Sequence, residues 1–162
     1  MRSILPLLLC LACVVHAGAT VQIVEFCPDP YLHDDADEYI VLSGNGPLDT
    51  ITISDNHGGF RFPHGTRIQG SLIIARSAQG DKQSHGRLPD FEWLDYSPDV
   101  PDVINGDPLR LANTKDELVL YEKGAAVQKI SWPGDVKPRE GQVHYLENGT
   151  WDRRVLMIGQ SR

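Results

Sequence analysis

Cysteine is scarce in this chain of 162 residues, and two of its three cysteines, Cys10 and Cys13, lie in an apolar N-terminal segment. Only Cys27 follows that segment, and a lone cysteine cannot close a disulfide within its own chain. The domain must therefore be stable through its core alone. We expect Cys27 to be a small buried side chain near the end of a strand.

Basic residues are also few, with 15 Lys and Arg against 22 Asp and Glu, which gives a formal net charge of -7. Proteins that coat nucleic acid take most of their affinity from Lys and Arg on phosphates, so the charge argues against nucleic acid as a partner. Residues 20–122 hold 7 basic and 18 acidic side chains, whereas residues 123–162 hold 7 basic and 4 acidic ones. The body is acidic and the tail mildly basic.

Long hydrophobic runs are absent after the N-terminus, where a short basic start precedes an apolar run from Ile4 to Val15. As a helix this run spans only about 18 Å, short of the roughly 30 Å hydrocarbon layer of a bilayer. Small residues follow it, so the pattern predicts a cleaved secretory signal peptide over residues 1–17, with the cut after Ala17 or Ala19. We expect a secreted or cell-surface protein with no transmembrane segment after cleavage.

Helical periodicity is missing from the mature chain, apart from a short piece around Ser77 to His85. Apolar residues alternate with polar ones in short runs that end at Gly, Pro, Asn or Asp, which predicts an all-β sandwich or barrel. The segment Gly86–Pro108 is rich in Pro and Asp and is expected to be a long surface loop. The predicted strands are Val21–Phe26, Glu38–Leu42, Thr50–Ile53, Phe60–Pro63, Ser71–Arg76, Leu109–Leu111, Glu117–Tyr121 and Ala126–Trp132, with further short strands at 143–147, 148–151 and 155–158 in the tail.

The strand motifs follow one another in a recognisable order. The first are Val21-Gln22-Ile23-Val24-Glu25-Phe26, Asp37-Glu38-Tyr39-Ile40-Val41-Leu42 and Leu48-Asp49-Thr50-Ile51-Thr52-Ile53-Ser54-Asp55; later ones include Phe62-Pro63-x-Gly65-Thr66-x-Ile68 and Val127-x-x-Ile130-Ser131-Trp132. In this order they resemble the lamin-tail domain. The resemblance implies an immunoglobulin-like antiparallel β-sandwich over residues 20–132, with residues 133–162 as a C-terminal extension or a linker to a missing domain.

The resemblance looks closest to lamin-tail domains of exported archaeal proteins, which often precede a phospholipase D-like domain. Such enzymes use a His-x-Lys-x-x-x-x-Asp motif, and no histidine of this chain has Lys two residues later. We therefore expect a non-catalytic, monomeric binding or targeting module without a cofactor, whose partner is a cell-envelope component or a protein. The alternative is an accessory domain of a secreted phospholipase D-like phosphodiesterase or nuclease whose catalytic part is absent from this chain.

Three groups of residues are candidate sites. Asp34, Asp35 and Asp37 are clustered oxygen donors of the kind Ca²⁺ prefers, although their spacing fits no EF-hand. Phe91, Trp93 and Tyr96 lie in the acidic loop and form a candidate binding platform, with the alternative that these aromatics pin the loop onto the sandwich. Asn148-Gly149-Thr150 is an N-glycosylation sequon on a predicted turn. Trp132, at a strand end, is expected in the core or at its edge.

Overall fold

The computed structural model describes residues 21–55, 57–94, 97–132 and 140–156, so the predicted signal peptide lies outside them. The α-helix in this part of the chain, α1 (Ala78–His85), is not long and apolar enough to cross a membrane. The strands are β1 (Val21–Cys27), β2 (Tyr39–Pro47), β3 (Ile51–Ser54), β4 (Gly59–Arg61), β5 (Arg67–Ala75), β6 (Phe91–Glu92), β7 (Ile104–Asn105), β8 (Asp116–Glu122), β9 (Ala125–Trp132), β10 (Gln142–Glu147) and β11 (Thr150–Val155).

These strands form two sheets. The first has the order β11-β10-β1-β2-β5-β6 and the second the order β7-β4-β3-β8-β9. Neighbouring strands are antiparallel, except for the short parallel pair of β5 and β6. The prediction of an all-β antiparallel sandwich is confirmed, and so is the short helix near Ser77–His85.

The main core lies between the two sheets. Along β1, Val21 and Ile23 are buried while Gln22 between them is exposed, as the two-residue period of a strand requires. Ile40 and Leu42 on β2 belong to the same cluster of buried side chains as residues of the second sheet. Burying each such aliphatic side chain contributes about 1.5–3 kcal/mol, which allows the domain to do without disulfides.

The outer face of the first sheet is covered too, and this explains why four successive residues of β2, from Tyr39 to Leu42, are buried. A second apolar cluster there joins Tyr39 and Val41 to Val143 and Leu156 from the C-terminal part of the chain. Helix α1 adds His85, whose ring lies edge-on to Tyr39 with the centroids 5.2 Å apart. Cys27 is buried in this cluster, as predicted, with its Sγ 3.6 Å from the Gln142 carbonyl oxygen.

The segment predicted as a surface loop, Gly86–Pro108, is instead tied to the sandwich. The fully buried Glu92 carboxylate accepts hydrogen bonds from the backbone N–H of Ala78 at 2.7 Å and of Ser97 at 3.0 Å. The segment also contains two short strands: β6 is an edge strand of the first sheet, and β7 is an edge strand of the second. The strand predicted at Leu109–Leu111 is wrong: these residues form no strand, although both leucines are buried in the main core.

The C-terminal segment also differs from its prediction as an extension or linker. Strands β10 and β11 form a hairpin that continues the first sheet beyond β1. Phe26 on β1 lies opposite His144 on β10, and Trp151 on β11 packs against the main core. Residues 142–156 complete the sandwich because their apolar side chains cover β1 on the side away from β2.

The two sheets are joined directly where β9, an edge strand of the second sheet, approaches β1. The Gln128 side-chain amide accepts a hydrogen bond from the Ile23 N–H at 2.7 Å and donates one to the Ile23 carbonyl oxygen at 2.9 Å. It thereby takes the place of β10, which pairs with β1 only at Glu25 and Phe26. Beyond this junction the β10–β11 hairpin extends past the edge of the second sheet.

Candidate binding cleft

A cleft of about 310 Å³ lies between the edge strand β9 and the overhanging β10–β11 hairpin. We call it the aromatic cleft. Its lining combines aromatic rings with polar and charged groups, a composition typical of small-molecule sites. The lining residues are Lys129, Ile130, Ser131, Trp132, His144, Trp151, Asp152 and Arg153.

Four rings fix the shape of the aromatic cleft. Phe26 lies at their centre, stacked on His144 with centroids 4.7 Å apart and planes inclined by 11°. The centroids of Trp132 and Trp151 lie 4.9 Å and 5.6 Å from that of Phe26. Trp132 is held further by its indole N–H, which donates to the Ala112 carbonyl oxygen at 2.8 Å. Such offset and edge contacts are the favoured geometries of aromatic pairs, so the wall of the cleft is preformed.

His144 is the buried polar group of this wall. It is 6 % exposed, and its Nε2 atom has no hydrogen-bond partner among the described residues. Burial, reinforced by the positive charge of Arg153 opposite it on β11, lowers the pKa of His144 to about 4. The imidazole is therefore neutral near pH 7 and able to exchange a hydrogen bond with a hydroxyl group.

The rim of the aromatic cleft is polar and partly preorganised. Lys129 Nζ lies 2.5 Å from Glu117 Oε2, so its charge is balanced within the second sheet. Asp152 accepts hydrogen bonds from the Arg153 N–H at 2.7 Å and from the Tyr145 hydroxyl at 3.3 Å. The Arg153 side chain is exposed and forms no ion pair with the described residues. Asp152 and Arg153 are thus the two charged side chains of this rim that form no ion pair with the described residues.

The candidate platform in the acidic loop is not on the surface. Trp93 is fully buried and stacks on Phe60, with centroids 6.1 Å apart. Phe91 is partly buried and meets Phe62 edge-on at 5.5 Å. Tyr96 lies outside the described residues. The two described aromatics pin the segment onto the core, so the prediction of a platform at Phe91 and Trp93 is corrected.

The aspartates proposed for Ca²⁺ do not converge. Asp34 and Asp35 occupy a short turn with φ of 61° and 54°, and Asp34 Oδ2 lies 2.9 Å from His33 Nδ1. Asp37 points inward, is 1 % exposed, and accepts hydrogen bonds from the Leu32 N–H at 3.0 Å and from the Ser84 hydroxyl. Within the described ranges no three His, Cys, Asp or Glu side chains are arranged to hold a metal ion.

The sequon asparagine lies at the tip of the β10–β11 hairpin. Asn148 and Gly149 have φ of 49° and 78°, as expected of a two-residue hairpin turn with both central residues in the left-handed region. Asn148 is exposed. Its glycosylation stays a prediction, and the turn is sterically open to it.

Serine and histidine residues that occur together in the sequence serve local structure. The buried Ser84 hydroxyl donates to Asp37, while His85 Nδ1 lies 3.2 Å from Asp81 Oδ1. In the turn after β3, the Ser54 hydroxyl bonds backbone carbonyl oxygens, and Asp55 accepts the N–H groups of residues 57, 58 and 110. The two serine hydroxyls thus donate to a carboxylate and to backbone carbonyl oxygens, whereas an activated nucleophile donates to its base.

Comparison of the chain with family models, with curated proteins and with solved structures gives no match. The resemblance to lamin-tail domains therefore stays a prediction from the strand motifs. The aromatic cleft itself was missed by the sequence reasoning, which named Trp151 and His144 only as members of tail strands. The available signal was an aromatic residue on each of two strands joined by an Asn-Gly turn.

Proposed function

We propose that this chain is a non-catalytic, lamin-tail-like binding module that acts outside the cytoplasmic membrane and holds a saccharide of the cell envelope in the aromatic cleft. The apolar N-terminal segment supports export. The order of the strand motifs supports the family. The observation that carries the proposal is the partly buried Trp151 beside polar groups on a rigid edge of the sandwich.

A saccharide fits this cleft because its ring presents C–H groups on one face and hydroxyl groups around its rim. The C–H face packs on the Trp151 ring, as apolar surface does on aromatic faces. Ser131, Asp152 and Arg153 supply donors and acceptors for the hydroxyl groups. A hydroxyl inserted beside Trp151 also provides the hydrogen-bond partner that His144 Nε2 lacks among the described residues.

The test is a glycan array probed with the mature protein, followed by calorimetric titration of each glycan that binds. Trp151→Ala is expected to weaken binding at least about tenfold, which corresponds to about 1.4 kcal/mol. Tyr121→Ala is the matched control, because Tyr121 is also a half-buried aromatic residue. It lies near one end of β8, whereas Asp116, which pairs with Trp132 of the aromatic cleft, lies at the other end. Unchanged glycan affinity in Trp151→Ala would show that the saccharide does not bind in the aromatic cleft.

A second variant separates stacking from hydrogen bonding. His144→Phe keeps a ring against Phe26 but removes the nitrogen atoms, so we expect weaker glycan binding with no loss of thermal stability. If His144→Phe binds each glycan as tightly as the unmodified protein, the imidazole takes no part in recognition.

A further inference from the structure

A second cleft, of about 300 Å³, lies where the start of β2, the end of β5 and the segment before β8 meet. We call it the Arg76 cleft, and it shares no residue with the aromatic cleft. The Arg76 N–H donates to the Glu38 carbonyl oxygen at 2.8 Å, which holds the two side chains next to each other. The lining residues are Asp35, Glu38, Arg76, Leu94, Pro108, Leu109, Arg110 and Leu111.

Glu38 is the buried acid of this cleft. Its side chain is 2 % exposed, and its Oε2 lies 3.5 Å from the Arg76 guanidinium without a hydrogen-bond partner among the described residues. Burial, opposed by Arg76 and reinforced by Asp35 and Asp37, raises the pKa of Glu38 to about 9. Near pH 7 the carboxyl group is protonated, so it leaves the charge of Arg76 uncompensated and has a proton to donate.

The charge of the Arg76 cleft is opposite to that of the domain around it. Arg76 has a side chain 29 % exposed, and its guanidinium lies 3.5 Å from the Glu38 carboxyl group, which carries no charge while it is protonated. Arg110 is exposed, and its backbone is fixed by a 2.7 Å hydrogen bond from its N–H to Asp55. With Glu38 neutral, two guanidinium groups face one carboxylate, that of Asp35. A positive cleft in an acidic domain attracts an anion.

The remaining walls of the Arg76 cleft are apolar. Leu94 and Pro108 are partly buried, so part of their apolar surface is open to the cleft, whereas Leu109 and Leu111 are already buried in the main core. Inorganic anions gain nothing from such walls, whereas an organic anion buries its hydrocarbon part there at about 0.8 kcal/mol per CH₂ group. Planar carboxylate groups match the fork of a guanidinium with two parallel hydrogen bonds.

We propose that the Arg76 cleft is a binding site for a small organic carboxylate. Arg76 holds the carboxylate, the Glu38 carboxyl group donates a hydrogen bond to it, and the aliphatic part lies against Leu94 and Pro108. Arg110 closes the site from the solvent side. The volume of about 300 Å³ is at the lower end for small-molecule sites, which limits the ligand to a short acid.

The experiment titrates the full-length mature protein with acetate, butyrate and inorganic phosphate while recording ¹H–¹⁵N spectra. Butyrate is expected to cause saturable shifts of the Leu94 and Leu111 amides and to bind roughly tenfold more tightly than acetate, because of its two additional CH₂ groups. Phosphate binding as tight as that of butyrate would overturn the assignment to an organic acid. The absence of saturable shifts at these amides would overturn the site itself.

Variants locate the charge that binds the acid. Arg76→Gln and Arg110→Gln are each expected to weaken butyrate binding at least about tenfold, and thermal melts verify that each variant is folded. Arg67→Gln is the matched control, since Arg67 is an exposed arginine at the opposite end of β5. If Arg76→Gln does not fold, Arg110→Gln decides. Butyrate affinity unchanged in a folded Arg76→Gln or Arg110→Gln variant contradicts the proposal.

Discussion

Glu38 makes the stability of the folded chain depend on pH in an unusual direction. Its pKa is raised to about 9 by burial, against 4.5 as the ordinary value. Between these values the folded chain keeps a proton that the unfolded chain has released, so the free energy of unfolding falls as the pH rises. The stabilising contribution of the protonated Glu38 carboxyl group to the free energy of unfolding is fully present below pH 4.5, and it is lost as the pH rises through 9.

We expect Glu38→Gln to remove this dependence, because the amide has the shape of the protonated acid and does not titrate. Relative to the unmodified protein, the variant gains roughly 1.4 kcal/mol per pH unit between about pH 5 and about pH 8. Urea unfolding of both proteins across this range measures the difference. Other titrating groups, including His144 with its lowered pKa, are common to both proteins. A difference independent of pH would mean that Glu38 is ionised in the folded chain.

Trp93 and Trp151 show how far a single residue is interpretable from the sequence alone. Both were counted as loop or tail aromatics, yet Trp93 is fully buried and Trp151 lines the aromatic cleft. Trp93 is surrounded in the sequence by Pro and Asp, which are typical of loops, and nothing local signals the packing against Phe60. Trp132 was predicted at the core edge because it ends an alternating strand, and it is 3 % exposed.

At the scale of elements, the connection between β9 and β1 depends on the side chain of Gln128. Its amide satisfies the N–H and carbonyl oxygen of Ile23 on the side of β1 where β10 pairs only with Glu25 and Phe26. A polar backbone group left without a partner in a partly buried position costs about 1–3 kcal/mol. The sheets are therefore joined at this edge by one amide rather than by a ladder.

We expect Gln128→Ala to lower the free energy of unfolding by about 2 kcal/mol and to speed hydrogen exchange of the Ile23 amide. Gln128→Glu tests the geometry, since a carboxylate accepts from the Ile23 N–H but cannot donate to its carbonyl oxygen. That variant should protect the amide better than Gln128→Ala while remaining less stable than the unmodified protein. Equal exchange rates of the Ile23 amide in all three proteins would show that the pairing contributes nothing.

The strands were predictable where the period of two is strong and the turns are marked. β1, β3, β8 and β9 were found within a few residues of their observed bounds. The short β6 and β7 were not, because two-residue strands carry no period. The aromatic cleft was not predictable either: Phe26 and His144 are separated by more than 100 residues, and only the sheet order brings them together.

At the scale of the whole molecule, the C-terminal hairpin is part of the folding unit. It supplies His144 to the aromatic cluster around Phe26, and Val143 and Leu156 to the outer cluster around Cys27. A domain ending at Trp132, as first predicted, exposes one side of β1 and both clusters. Removing one buried apolar side chain costs about 2–5 kcal/mol, so the loss of several is comparable to the whole free energy of unfolding of an ordinary domain.

We therefore expect a chain that ends at Trp132 to give no cooperative unfolding transition in circular dichroism. A chain that ends at Leu156 is the control, because it keeps every described residue of the hairpin, and it should give a cooperative unfolding transition. Cooperative unfolding of the shorter chain would show that residues 20–132 fold alone.

The direction of the strands in the first sheet has a mechanical consequence. β1 and β11 flank β10 and both run antiparallel to it, so Val21 and Leu156 leave the sheet at opposite ends. Tension applied through these two ends acts along the strands, across hydrogen bonds that lie perpendicular to it. The bonds are loaded together in shear instead of opening one after another. Pulled from its ends, the sandwich resists extension as a unit.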